Sequence, residues 1–169
     1  MFSILKKIFE RTLPLFAFIF PLLEINSSFA SKVFQNIDNI SLKVFYYRQL
    51  LPLIGLYQSY IYVSFILMVA IFIVCSKGSI RLTKFVRFNI IQAILLAIVS
   101  QAINQVYYLA PLFVRETILG TFISNACYSG ITLAVLYCVF IIFVFGKYPR
   151  LPIVTEAAKL QVQRGYLDD

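Results

Sequence analysis

The chain has 169 residues, of which 61% are hydrophobic and 13% charged, and its mean hydropathy is +0.88. Soluble domains carry about a quarter charged residues, so this composition excludes a water-soluble globular domain and predicts a protein that lies in lipid. The net charge of +8 comes from Lys and Arg residues that flank apolar runs. That placement indicates membrane topology and not a nucleic-acid partner.

The sequence lacks the side chains that bond chemistry usually needs. It has no histidine and only seven acidic residues, and it contains no Gly-rich phosphate loop and no hydrolase motif. Cys75, Cys127 and Cys138 lie within or at the ends of apolar runs without CxxC spacing, so we interpret them as small packing residues. We therefore expect no enzyme activity, no cofactor and no metal.

The first apolar run, assigned to residues 12–28, admits two interpretations. Basic residues before it and the small residues Ser28 and Ala30 after it are typical of a secretory signal peptide. The alternative is a first transmembrane span, although its apolar part, 13–23, is only about half of the ~20 residues that a straight span needs. Glu24 follows that part, and we interpret it as an interfacial carboxylate and not as a proton relay.

Residues 29–45 are predicted to form an amphipathic helix. Apolar side chains recur at helical spacing, and polar ones occupy the opposite side. The helix is expected either in the membrane surface or packed on the bundle. The apolar positions are Phe29, Val33, Ile37, Ile40 and Val44.

Three further apolar runs are long enough to cross a bilayer. They cover residues 50–75, 88–109 and 118–145, and the segment 147–169 is a polar C-terminal tail. The expected fold is an all-α integral membrane protein. Its membrane domain, residues 1–146, is a bundle of four transmembrane helices with an additional amphipathic interfacial helix after the first span.

Lys and Arg residues predict the orientation of these spans. Eleven lie before the first span, in the second loop or in the tail, and four lie on the opposite side, which places both termini in the compartment from which insertion occurs. The basic loop that sets this topology contains Lys77, Arg81, Lys84 and Arg87.

Two helix faces stand out as candidate sites. On the third span, polar and small residues share one face, which indicates either a wall of a hydrated path or interhelical hydrogen bonding and close packing; its polar members are Asn89, Gln92, Ser100 and Asn104. On the fourth span, small residues at four-residue spacing predict a helix-packing seam, with a partner helix in the same chain or in another subunit. The seam consists of Ala126, Gly130, Ala134 and Cys138.

Three segments carry a resemblance to a known family: KFVRFNIIQAILL at 84–96, GKYPRLPIVTEAA at 146–158 and LLPLIGLYQSYIYVSF at 50–65. With these motifs the chain resembles the twenty-kilodalton subunit of the translocon at the inner envelope membrane of chloroplasts, in its plastid-encoded form. It departs from that family at Ala97, where many relatives have an acidic residue. This departure puts a role for an acidic residue there in doubt.

The resemblance implies a four-helix membrane subunit of the plastid inner envelope, with both termini in the stroma. Its implied partners are other translocon subunits, unfolded precursor proteins in transit and membrane lipid. The family keeps a first span, which favours a retained span over a cleaved signal. Because the chain begins at Met1 without a transit-like leader, we expect synthesis inside a plastid. The alternative function is a small-molecule or ion transporter.

Overall fold

The computed structural model describes residues 2–35, 39–77 and 82–164, and this part of the chain is helical without a strand. Short π-helical segments join several helices into longer ones. The α-helices are α1 Phe2–Ala17, α2 Ile19–Ile25, α3 Ser31–Gln35, α4 Ile40–Phe45, α5 Leu51–Ser59, α6 Ile61–Lys77, α7 Lys84–Leu109, α8 Leu112–Arg115, α9 Ile118–Phe140 and α10 Val154–Arg164.

The expected all-α membrane fold is confirmed. Three helices of the described chain are long and apolar enough to cross a membrane: Glu10–Phe34, Lys84–Leu109 and Ile118–Phe145. A fourth span is present if the bent pair Ile40–Ser59 and Ile61–Lys77 counts as one.

The first span is longer than the sequence pattern predicts. Helix Glu10–Phe34 includes the polar segment Asn26–Ser28, whose side chains donate hydrogen bonds to carbonyls three or four residues earlier. The helix is interrupted at Phe18, where Pro21 cannot supply a main-chain donor to the preceding turn. Because Ile25 and Phe29 are fully buried in the bundle, this segment is a packed helix.

The segment 29–45, predicted as one amphipathic helix, is divided between two helices in the described chain. Its first residues continue the first span through Gln35, and a new helix begins after Asn39, whose backbone is extended. The Asn39 side chain caps that helix by accepting from the amides of Ser41 and Leu42. Residues 36–38 lie outside the described part of the chain.

The run predicted as the second span over 50–75 is bent. Helices Ile40–Ser59 and Ile61–Lys77 meet at Tyr60 at an angle of 80°. Tyr60 has φ −117° and ψ 30°, outside the helical region. Helix α6 therefore leaves the bend as a separate rod of 17 residues.

Helix α7 is the centre of the bundle. The first span, α6 and α10 pack around it, and every side chain from Val86 to Ile94 is buried. The fourth span, Ile118–Phe145, consists of α9 and the π-helical segment after it. It packs on the first span and on α7, and Val135 and Ile142 are fully buried. It ends at Gly146, whose positive φ of 59° lets the Gly146 amide bond back to the Ile142 carbonyl.

The composition of the tail suggested a free polar segment, but its described part packs on the bundle. After Gly146 the chain turns back, and α10 packs on α7 and α6 with Thr155, Ala158 and Val162 buried. The Ser76 hydroxyl donates to Gln161 Oε1 over 3.2 Å. The start of the first span, the end of α6, the start of α7 and α10 thus gather at one end of the bundle.

Candidate functional site

From Asn89 to Ser100, the polar face predicted on the third span is covered by other parts of the chain. Asn89, Gln92 and Ser100 are each 0% exposed. The Asn89 amide donates to the Phe85 carbonyl over 2.8 Å, and the Ser100 hydroxyl donates to the Leu96 carbonyl over 2.8 Å. These bonds satisfy the donors locally, whereas Asn89 Oδ1 finds no partner among the described residues.

Gln92 connects this face to the C-terminal segment. Its Nε2 lies 3.4 Å from the Pro149 carbonyl and 3.3 Å from Thr155 Oγ1. The Thr155 hydroxyl also accepts from the Leu151 amide over 2.6 Å, which closes the turn before α10. The structure therefore brings Gln92 and α10 together. Asn104, farther along α7, is half-buried, and its Oδ1 has no partner among the described residues.

The predicted seam on the fourth span divides into two halves. Cys138 is buried and Ala134 is half-buried against the bundle, but Ala126 and Gly130 are exposed. A Cβ built at Gly130 would meet no described atom within 4 Å. The small residues at Ala126 and Gly130 therefore have no partner helix among the described residues.

Arg87 is not a loop residue. It is 3% exposed in the first turn of α7, and its Nε and Nη2 donate to the carbonyls of Cys75 and Ser76 over 2.7 and 2.9 Å. These bonds satisfy carbonyls that the end of α6 leaves unpaired. Lys77 and Lys84 are exposed at the same end of the bundle. Arg81 lies outside the described residues.

A second arginine has the equivalent position at the end of the fourth span. Arg11 Nη1 donates to the Phe143 carbonyl over 3.3 Å, and its guanidinium lies against Gly146. Cations at helix C-termini interact favourably with the helix dipole. Two of the basic residues that flank the spans thus fix the ends of neighbouring helices.

The structure also shows a buried carboxylate that sequence reasoning placed at the interface. Glu24 is 3% exposed inside helix Glu10–Phe34, and ten residues of the span follow it. Its Oε2 accepts from the Tyr57 hydroxyl of α5 over 2.7 Å. The polar residues after Glu24 suggested the end of the span, whereas the helix continues to Phe34. The depth of Glu24 therefore could not be predicted from local hydropathy.

Further polar contacts surround this pair. Gln58 Nε2 lies 3.4 Å from the Ser27 carbonyl, and the Tyr128 hydroxyl of α9 donates to Asn26 Oδ1 over 3.2 Å. Toward the far end of the first span, Lys32 donates to the Tyr107 hydroxyl over 3.0 Å. The polar side of the first span is therefore the meeting point of α5, α7 and α9.

An apolar groove of about 490 Å³ lies between the first span, α6 and the start of α7. In the ranges that the structure describes, no three His, Cys, Asp or Glu residues lie close enough to hold a metal ion. The architecture defines a polytopic helical membrane protein.

Comparisons with known proteins then identify the family. The model of the chloroplast import apparatus Tic20-like family matches residues 6–158, and the chain belongs to this family. This assignment confirms the resemblance carried by the three sequence motifs. The family is one of translocon components and not of enzymes.

Curated relatives come from red algae and a cyanobacterium. The chain is 28% identical over 123 residues to a Tic20 family protein Ycf60 of Pyropia yezoensis, covering 72% of this chain and 60% of that protein. It is 24% identical over 161 residues to the Ycf60 protein of Cyanidium caldarium, covering 91% of this chain and 74% of that one. A Tic20 family protein of Synechocystis sp. is 27% identical over 122 residues, with coverages of 69% and 72%.

The chain spans about three fifths of the length of the Pyropia relative and of a second red-algal one. No solved structure matches the chain.

Proposed function

We propose that this chain is a membrane subunit of the protein-import translocon of the plastid inner envelope, where it helps precursor proteins cross as part of a conducting channel. The observation that carries the proposal is the family match over residues 6–158, which includes all the described spans. Red-algal relatives named Ycf60 support the plastid-encoded form.

The geometry favours a shared channel over a pore within one chain. The polar side chains at the start of α7 are covered by α10 and the first span, so they brace the bundle. The small-residue face of α9 is open at Ala126 and Gly130. A conducting path therefore needs walls from other subunits, and α9 is the face we assign to that contact.

The proposed topology has both termini in the stroma. The start of the first span and α10 lie at the same end of the bundle, together with the exposed Lys77, Lys84 and Lys147. Positively charged flanks remain on the side from which a membrane protein is inserted. Protease added to right-side-out inner-envelope vesicles should leave epitopes at both termini intact, and digestion of one of them would contradict this topology.

The test of the function is purification of the native complex during import. An affinity tag on the chain should recover a large assembly that contains a precursor arrested in transit. A control precursor without its targeting segment should be absent from that assembly. Recovery of the chain as a free monomer while import proceeds would contradict the proposal.

Glu24 supports one alternative function, a small-molecule or ion transporter. An ionisable side chain buried within a span is costly, and such residues often mark ion or proton pathways. Purified chain in liposomes should then carry a solute or protons, and Glu24→Gln should abolish that activity. If the chain carries neither solute nor protons in liposomes and the tagged chain recovers an arrested precursor, the translocon function is supported over the transporter function.

A further inference from the structure

The bent helix pair is held to the first span by few contacts. Of the residues in α5, only Ile54 and Tyr57 are buried. Ile54 joins a small apolar cluster with Ala30, Phe34 and Tyr46, in which the Phe34 and Tyr46 rings stack at 4.5 Å. Elements with so little buried surface open at low free energy.

Tyr57 makes the strongest of these contacts. Its hydroxyl donates to Glu24 Oε2 over 2.7 Å in the buried interior of the first span. Loss of the hydroxyl would leave Glu24 Oε2 without this donor in a medium where unpaired polar groups are expensive. Glu24 thus favours the position of α5 in which Tyr57 reaches it.

The same segment has a second available form. Residues 50–75 are apolar enough for one continuous span. The helices on either side of Tyr60 are together long and apolar enough to cross the membrane as one span. Alone, the 17 residues of α6 extend about 26 Å, whereas the hydrocarbon core is about 30 Å thick. Straightening at Tyr60 would remove this mismatch, because α5 would extend α6 through the core.

We propose that Glu24 and Tyr57 form a latch that holds the bent helix pair in its short form. Release of the latch lets α5 and α6 join into one full-length span, with Tyr60 as the hinge. Hinges are commonly single residues at helix ends that absorb a change in φ and ψ. In this role Glu24 and Tyr57 are positioning residues, and the two forms differ in whether α5 covers the polar side of the first span.

Distances between two spin labels distinguish the forms. The full chain, with Cys75, Cys127 and Cys138 replaced by alanine, is labelled at Leu51 and Ile73, which are both exposed. For the 80° bend, these helix positions are about 26 Å apart, and for a straight helix they are about 33 Å apart. Double electron–electron resonance in lipid nanodiscs should give mainly the shorter distance for the parent chain.

Tyr57→Phe should move most of the population to the longer distance, because it removes only the hydroxyl. Glu24→Ala should do the same, whereas Glu24→Gln should keep the shorter distance, since its amide oxygen still accepts from Tyr57. Tyr62→Phe is the matched control, because Tyr62 is 82% exposed on α6, and it should change nothing.

The proposal is overturned if Tyr57→Phe keeps the distribution of the parent chain, or if the parent chain already shows the longer distance. It is also overturned if Glu24→Gln shifts the distances as far as Glu24→Ala does. If the Glu24→Ala variant does not fold, the distances measured for Tyr57→Phe alone decide whether the latch exists. The measurement needs no precursor and no partner subunit, so its result is independent of the import function.

Discussion

Helices α7 and α9 are both long enough to cross the membrane, but they use their surfaces in opposite ways. Within an apolar 18-residue stretch of each span, 67% of the stretch is buried in α7, but only 22% is buried in the span Ile118–Phe145 that contains α9. The polar side chains of α7 lie inside the chain, and half of the small-residue seam of α9 lies outside it. From this contrast we propose that α7 braces the bundle and that α9 keeps a face for other chains.

The largest effect is expected where α7 fixes the end of α6. Arg87→Met removes two hydrogen bonds from a buried guanidinium and leaves the carbonyls of Cys75 and Ser76 without them. The free energy of unfolding should fall by about 3 kcal/mol, since bonds to charged groups contribute more than neutral ones. Denaturant titration in micelles measures this loss. Lys77→Met removes an exposed charge at the same end and should change stability little, and equal losses would refute the capping role.

A smaller effect is expected at the end of the fourth span. Gly146→Ala puts a Cβ on a residue with φ 59°, and that atom would lie 2.7 Å from Arg11 Nη2. Left-handed backbone costs about 1–2 kcal/mol for a residue other than glycine, and thermal unfolding should show a loss of that size. Gly55→Ala is the control, because no described atom lies within 4 Å of its Cβ position. A neutral Gly146→Ala would show that Arg11 and the turn rearrange without strain.

A substitution at Asn104 tests whether the C-terminal part of the polar face of α7 contributes to the stability of the bundle. Its Oδ1 is buried without a partner among the described residues. Asn104→Leu should therefore change the free energy of unfolding by no more than the ~0.6 kcal/mol typical of intramembrane hydrogen bonds. Import assays with the variant should give parental rates. Slower import with unchanged stability would instead assign Asn104 to the precursor path.

Gly130 should show the smallest effect on the chain itself. Gly130→Leu adds bulk where no described atom is near, so stability in micelles should stay within about 0.5 kcal/mol of the parent. Assembly should suffer, because a branched side chain prevents close approach of another helix. Co-purification of partner subunits measures this. Leu136→Phe, which adds bulk elsewhere on the exposed side of α9, is the control. An equal loss of partner subunits in both variants would show that Gly130 has no special role in assembly.

The sequence predicted the spans better than their contacts. Hydropathy and helix-ending residues located the fourth span over Ile118–Phe145 and the end of the third at Leu109, because these signals are local. The bend at Tyr60 has no such signal, since neither glycine nor proline marks it. Tyr57, three residues before the bend, donates to Glu24, 33 positions away in the sequence, and local sequence signals do not predict such a tertiary contact.

Two sequence interpretations differ from the structure for related reasons. Arg87 was assigned to the loop because its charge was counted for topology, yet the end of α6 supplies buried carbonyls that a guanidinium satisfies. The tail looked polar because its apolar residues are few, although Ala158 and Val162 lie on one side of α10 and pack on the bundle. The polar face of α7 was predicted from spacing alone, but the helices that cover it, α10 and the first span, come from tertiary packing that spacing does not predict.

Cysteine crosslinking during import tests the division between α7 and α9 most directly. Single cysteines at Asn89, Gln92 or Ser100 on α7 are compared with cysteines at Ala126 or Gly130 on α9, in a background without native cysteines and with an arrested precursor present. We expect adducts to other polypeptides from the α9 positions and only intramolecular adducts from the α7 positions. Adducts between the precursor and the α7 positions would contradict this expectation and would place the polar face of α7 on the conducting path.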